Sequence, residues 1–439
     1  MSCLRPLTLA AFLAAPLPAL AAVEIQEVTS PGGITAWLVE EPSIPFVAID
    51  LRFEGGASLD LPGKRGATNL MTATLEEGAG DRDARQFAEA VEDIAARFSF
   101  DASADAVSIG AEFLTETRAD AVSLLRDALT RPLFAEADVD RVREQVLANI
   151  AADANDPDAI ASRTLAALSF PEHPYGSPMD GTVETVSSLT PDDLRAAHRN
   201  ALTRDRLFVG VTGDITAAEL GPLLDDLLAG LPETGGPELG PAENMAEGGV
   251  TVVDFPVPQS SVIFGHEGIG FDDPDYFAAY ILNHILGGAG FEARLMEEVR
   301  EKRGLTYGIG TYLAARDHAA QLLGQFSSSN DKAAQAVEIV RAEWARMAAE
   351  GVTETELAEA KTYLTGAYPL RFDGNSRIAG ILVGMQSLGL PIDYIATRND
   401  RIEAVTQDEI ARVAARILQP DALHFVVVGR PEGLETTGF

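Results

Sequence analysis

The feature that most restricts how this chain can fold is a long-period duplication. Ser188-Leu-Thr-Pro-Asp-Asp-Leu194 and Ala404-Val-Thr-Gln-Asp-Glu-Ile410 are equivalent helix starts. Thr190 precedes Gly213 by 23 residues and Thr406 precedes Gly429 by 23, and each glycine closes a β-run, Leu207-Phe-Val-Gly-Val211 and His424-Phe-Val-Val-Val428. Upstream, Leu75-Glu-Glu-Gly-Ala-Gly80 parallels Ile285-Leu-Gly-Gly-Ala-Gly290. A repeat this long, with strands first and helices after, implies two similar α+β domains rather than a solenoid.

The pattern in the first half reads as strands over 34–40, 46–54, 98–102, 106–114 and 206–212. Helices are expected over 67–77, 85–98, 118–129, 137–152, 159–168, 191–201 and 217–231. Residues 232–249, Pro232 to Gly249, are rich in Pro, Gly and Glu without periodicity and mark a linker. The expected division is therefore 1–22, 23–231, the linker 232–249, and 250–439. Residues 1–22 carry Arg5, an apolar run from Leu7 to Leu20 and small residues at the end, which reads as a secretory signal peptide. A periplasmic location is the expectation that follows. No later segment offers ~18 uninterrupted apolar residues, so no membrane span is expected. The only cysteine, Cys3, lies in the segment to be removed, which excludes cysteine ligands and a cysteine nucleophile from the mature chain.

Charge excludes another class. With 67 acidic against 33 basic side chains the formal charge is −34, and a nucleic-acid partner, which is bound through Lys and Arg, is not expected. Acidity of this size speaks of solubility and self-repulsion.

The chemistry is concentrated in Leu286 to Leu313. Gly287, Gly288 and Gly290 give a backbone that reaches positive φ and tolerates close approach. A helix follows with Leu295, Met296 and Val299 on its buried face, Gly304 stops it, and alternation from Leu305 to Leu313 reads as a strand. Arg300 near the helix end and Tyr307 entering the strand are seven residues apart, so the turn at Gly304 can bring a guanidinium and a phenol together as donors to a developing oxyanion. By spacing alone they read as a solvated helix charge and a core aromatic.

The run Leu286-Gly-Gly-Ala-Gly-Phe-Glu-Ala-Arg-Leu-Met-Glu-Glu-Val-Arg-Glu-Lys-Arg-Gly-Leu-Thr-Tyr-Gly308 resembles the C-terminal-domain signature of the pitrilysin/insulinase family of zinc peptidases, which includes the mitochondrial processing peptidase. The resemblance implies two domains, each an antiparallel sheet with helices packed on one face, and a peptide-sized chamber between two such chains. It also implies that Arg300 and Tyr307 assist a zinc site lying across that chamber, and that Gly287, Gly288 and Gly290 contact substrate.

The same family carries an HxxEH helix in its first domain, with two histidines on one face for zinc and the glutamate acting on the metal-bound water. In this chain Asn69 and Ala73 stand where the histidines belong, and Thr72 where the glutamate belongs. Asn149 matches the distal glutamate ligand, and residues 60–80 contain no histidine. A methyl ligates nothing and a hydroxyl is no carboxylate base. The six histidines, at 173, 198, 266, 284, 318 and 424, never come within five positions of one another. His284 reads as a packing residue, and neither His173 nor His266 has a visible partner. No metal is therefore expected on this chain.

The resemblance then implies a zinc-less subunit whose HxxEH-bearing homologue supplies zinc, while this chain closes the chamber around a peptide or unfolded polypeptide. The alternative is a peptide-binding or scaffold protein built on the same fold, with no part in catalysis.

Overall fold

The computed structural model describes residues 24–237 and 239–437; the expected signal peptide lies outside the described residues. In the first half, the strands of the main sheet are β1 (Gln26–Thr29), β2 (Thr35–Glu40), β3 (Phe46–Glu54), β4 (Arg97–Ala102), β5 (Ala106–Leu114) and β6 (Leu207–Gly213). They form one sheet in the order β1-β2-β6-β3-β5-β4. In the second half, β7 (Gly249–Asp254), β8 (Gln259–Glu267), β9 (Ile309–Ala315), β10 (Ala320–Ser329) and β11 (His424–Gly429) form the order β9-β10-β8-β11-β7.

Once β1 is set aside, the two orders are the same. Both sheets are antiparallel except for one parallel pair, β2 with β6 and β7 with β11. The duplication read from the sequence is thus a duplication of topology, and the chain is α+β as expected. The matching local signals have matching causes. Thr190 and Thr406 each cap a helix through a reciprocal capping box, with Asp193 and Glu409 as partners. Gly213 and Gly429 both have positive φ, +140° and +157°. A Cβ at Gly213 would lie 2.3 Å from the Phe46 carbonyl, and one at Gly429 2.4 Å from Ser260 Oγ, so each β-run must end in glycine.

Helices α1 (Ala67–Thr72), α2 (Ala84–Asp93), α3 (Arg118–Thr130), α4 (Glu136–Asp153), α5 (Pro157–Ser169), α6 (Pro191–Ala201) and α7 (Ala217–Leu228) belong to the first half. After the linker come α8 (Tyr276–Asn283), α9 (Ala333–Glu350), α10 (Glu354–Gly366), α11 (Asn375–Ser387), α12 (Tyr394–Ala404) and α13 (Gln407–Ile417). Helix α1 ends sooner than the pattern over 67–77 suggests. Past Thr72 the backbone tightens into i→i−3 turns at Thr74, Leu75 and Glu77, and the Thr74 hydroxyl competes for the Leu70 carbonyl at 2.8 Å.

Each sheet buries one face against the helices of its own half, giving one core built on Leu38, Ile49, Phe53, Leu70 and Leu125 and another on Phe264, Leu295, Trp344 and Phe425. The opposite faces are covered by exchange. Helix α5 packs Ala161 and Leu165 on Ile263, Leu323, Val426 and Val428 of the second sheet. Helix α11 places Leu382 and Met385 against Trp37 and Val39 of the first. Gly210 permits this, since a Cβ there would come within 2.3 Å of the Ala379 carbonyl. Gln386 Nε2 donates to the Val209 carbonyl at 2.8 Å across the same contact.

The linker is pinned rather than loose. Its Pro232 carbonyl accepts from Arg204 N–H (3.0 Å), its Ala242 N–H donates to the His318 carbonyl (2.8 Å), and its Met245 N–H to the Ser169 carbonyl (2.8 Å).

Candidate functional site

Helix α8 runs into a wide π-turn over His284–Gly288, in which the Ala289 N–H reaches back to the His284 carbonyl at 2.8 Å. Such turns re-aim the residues that follow. Gly287 is buried there, with a Cβ position 2.4 Å from Thr311 Oγ1 and 2.8 Å from Thr311 N. It packs this turn closely on β9. Gly288 and Gly290 are exposed.

A 3₁₀ turn over Gly290–Glu292 leads to a second helical segment, which widens into a π-turn over Met296–Glu301. Leu295, Met296 and Val299 are buried, as their spacing requires. Arg294 fixes the base of this segment. It donates from Nε and Nη2 to the two oxygens of Glu356 at 2.5 and 2.7 Å, and from Nη2 to the Gly351 carbonyl at 3.1 Å. Burial by itself would raise the Glu356 carboxyl, but hydrogen bonds from Arg294 and Thr353 outweigh it and hold the group at about 2.

Gly304, at φ +60°, ends the segment. Its N–H donates to the Arg300 carbonyl (2.8 Å) and the next N–H, of Leu305, to the Val299 carbonyl (3.0 Å). The chain therefore doubles back, and Arg300 and Tyr307 flank one turn. Strand β9 begins only at Ile309, not at Leu305. The cause is local: the Thr306 hydroxyl accepts the Gly308 N–H at 3.1 Å and lies 2.7 Å from the Ser327 carbonyl, which holds residues 306–308 out of the ladder.

Tyr307 consequently stands at the tip of the turn, 88% exposed, instead of entering the strand as a core aromatic. Among the described residues it has no hydrogen-bond or ring partner. Among the described residues no hydrogen bond joins Arg300 to it; the Arg300 guanidinium carbon lies 4.8 Å from the centre of the Phe291 ring. The structure thus brings the two donors to one turn without joining them. Tyr307 presents a phenol to whatever occupies the space beyond.

The positions of the lost metal motif lie on α1 and α4. The Thr72 hydroxyl is buried and donates to the Thr68 carbonyl at 2.8 Å; Ala73 is exposed. Asn149 is exposed and accepts from Gln145 Nε2 at 3.1 Å. Close by, Glu77 is paired with Arg141. An amide, a methyl and a hydroxyl bonded to its own helix do not make a zinc donor set, so the residues present do not fit the metal. Among the described residues no group of three or more His, Asp or Glu side chains is disposed to hold one.

Two histidines without a visible partner in the sequence acquire one in the fold. His266 Nε2 accepts the Trp344 indole N–H at 2.9 Å, and its Nδ1 lies 2.6 Å from the Glu267 carbonyl. His173 Nδ1 accepts the Tyr175 N–H at 3.2 Å, and its ring is 5.7 Å from that of His318. The Tyr175 hydroxyl donates to Asp105 and accepts the His318 N–H (3.2 Å), so this phenol ties the β4–β5 turn to the β9–β10 turn of the other half. Arg316 covers its ring at 5.0 Å and Asp317 meets Arg52 at 3.8 Å. The residues of this junction are far apart in sequence, and no motif or spacing announces it. His284, expected to pack, stacks on Tyr363 at 5.2 Å.

Comparison with known proteins agrees with this geometry. Residues 36–183 match the family model described as "Insulinase (Peptidase family M16)", and residues 188–364 match "Peptidase M16 inactive domain". An uncharacterised zinc protease of Streptomyces coelicolor is 26% identical over 409 residues, covering 90% of this chain and 87% of its own. A protein of Helicobacter pylori named a non-peptidase homolog, YmxG, is 27% identical over 393 residues, covering 89% and 90%. The crystal structure of a peptidase M16 inactive domain from Pseudomonas fluorescens superposes with a TM-score of 0.87 at 27% identity, covering 94% of this chain and all of that one.

Proposed function

The chain belongs to the M16 (pitrilysin/insulinase) peptidase family as a member without the zinc ligands, and from that premise we propose that it is the zinc-less subunit of a two-chain secreted peptidase. A homologous partner with an intact HxxEH helix holds the metal. This chain closes the chamber and extends Arg300 and Tyr307 toward the bound peptide. Tyr307 donates its phenolic hydrogen to the scissile carbonyl oxygen as that oxygen becomes anionic, and Arg300 holds a neighbouring carbonyl in place. The exposed Gly288 and Gly290 let the peptide backbone approach.

The observation that carries this reading is the 88% exposure of Tyr307 at a turn braced on both sides, in a chain whose own metal positions are chemically empty. A phenol held out at the tip of the turn, with its hydroxyl unengaged among the described residues, keeps its hydrogen-bond donor for a ligand. The same exposure, together with that of Tyr363 and Leu370, also fits a surface covered by another protein, which is what a scaffold role would require.

The test is co-purification with an HxxEH-bearing secreted homologue, followed by peptide hydrolysis on mixing the two chains. Tyr307→Phe in the mixed complex is expected to lower turnover on the order of a hundredfold while leaving assembly intact. An unchanged rate would leave the scaffold reading.

A further inference from the structure

We infer that Phe291 is the positioning residue for Arg300: its ring is the shelf on which the guanidinium is held ready to meet a peptide carbonyl. The inference rests on the reading of Arg300 given above and assigns the neighbouring glycine turn a mechanical purpose.

Phe291 is a large apolar side chain left 66% exposed, and its one ring contact among the described residues is the Arg300 guanidinium, 4.8 Å from the ring centre. A cation over a ring face is attracted by the ring's quadrupole and gives up none of its N–H donors to it. Among the described residues Arg300 makes no ion pair, although Glu297 and Glu298 belong to the same segment. Those carboxylates are already engaged: Glu298 by Lys302 (2.8 Å), Arg303 (2.6 Å) and Arg346 (3.7 Å), and Glu297 by Lys302 (3.1 Å). Glu297 and Glu298 are thus satisfied by other cations, and the guanidinium keeps its donors for a ligand.

Gly290 immediately precedes the ring. It has φ +61°, yet nothing lies within 4 Å of the Cβ position it lacks. The glycine is therefore required by backbone conformation and not by packing. That left-handed residue opens the 3₁₀ turn that carries Phe291, so Gly290 shapes the segment that holds the arginine's shelf as well as lying open to substrate.

Two measurements test this. In the complex with the zinc-bearing homologue, hydrolysis of a quenched-fluorescent basic peptide is compared for wild type, Phe291→Ala, Phe291→Trp, Arg300→Ala and Phe291→Ala/Arg300→Ala, with co-purification as the assembly control. Releasing one rotamer-rich side chain is expected to lower kcat/KM by roughly three- to tenfold in Phe291→Ala, mostly in kcat. Phe291→Trp keeps the wild-type rate, and the double variant is no slower than Arg300→Ala. In the isolated chain, the Arg300 Nε–H resonance is shifted by the ring current; the shift is lost in Phe291→Ala and kept in Phe291→Trp.

An effect of Arg300→Ala without one of Phe291→Ala overturns the inference and leaves the proposed function standing. A further loss from Phe291→Ala in the Arg300→Ala background also overturns it, because the ring then acts on its own. No effect of Arg300→Ala refutes the proposed function instead, and absence of the ring-current shift refutes the stack itself.

Discussion

Replacing Tyr175 by phenylalanine removes a single oxygen from the junction between the two halves. The residue is 5% exposed, and its hydroxyl both donates to Asp105 and accepts the His318 N–H at 3.2 Å. Burial first, and then the hydrogen bond to Asp105, push the phenol far above its ordinary range, so it remains a donor at any ordinary pH. The ring contacts survive the change, since Phe170 packs edge-on at 5.6 Å and Arg316 lies over the ring face. A hydrogen bond to a carboxylate is worth about 1.5–3 kcal/mol and a long neutral one about 0.5–1 kcal/mol. Asp105 is only half-buried and recovers part of its solvation from water, so the net loss should be about 2 kcal/mol. The Arg52–Asp317 pair beside it is partly exposed and cannot compensate by more than about 1 kcal/mol. Urea unfolding can follow both halves, because the two tryptophans are divided between them, Trp37 on β2 and Trp344 on α9. In single-tryptophan variants, Tyr175→Phe should lower the midpoint seen by each probe, since α5 and α11 make the halves depend on one another. A loss below about 0.5 kcal/mol, the range of neutral surface changes, would refute the reasoning, and a shift confined to one probe would refute the coupling.

Further outcomes follow from other residues. Gly287→Ala places a methyl against Thr311 and should cost about 1–3 kcal/mol, whereas Gly290→Ala meets no atom and should cost about 1–2 kcal/mol for its left-handed backbone; thermal shifts that put Gly290→Ala clearly ahead would contradict the packing role of Gly287. Burial holds the His266 imidazole below its usual range, with the Glu267 carbonyl opposing. Its contribution to stability is therefore complete above the unfolded value of about 6.5 and is lost as pH falls from there through the depressed folded value. His266→Gln, which can still accept from Trp344, should show a smaller drop in urea midpoint between pH 7.5 and 5.5 than wild type. The Asp50 carboxyl, raised to about 6 chiefly by burial, changes in the opposite sense in both proteins and cancels in that comparison. A chelator should shift the melting temperature of the isolated chain by less than about 1 °C; a shift of several degrees would show that it holds a metal after all.

The sequence by itself determined whatever depends on near neighbours. Thr190 and Thr406 cap their helices from within four residues, Gly213 and Gly429 end equivalent strands, and Gly304 turns the chain between Arg300 and Tyr307. The absence of zinc donors at Asn69, Thr72, Ala73 and Asn149 is likewise a matter of residue identity. One misreading was also local in origin: alternation placed Tyr307 inside a strand, but the Thr306 hydroxyl captures the backbone first and leaves the phenol in solvent.

Only the tertiary structure decided which surface each buried face meets. The pattern Ala161, Leu165 on α5 and Leu382, Met385 on α11 announces helices with one covered side, yet nothing in either stretch says that the cover is the sheet of the opposite half. The partners of Tyr175 lie 70 and 143 residues away, and Arg300 meets the ring of Phe291 across a segment that widens into a π-turn over Met296–Glu301. Periodicity and capping are fixed by bonds a few residues long, whereas contacts between distant faces depend on shape and on which alternatives the rest of the chain excludes.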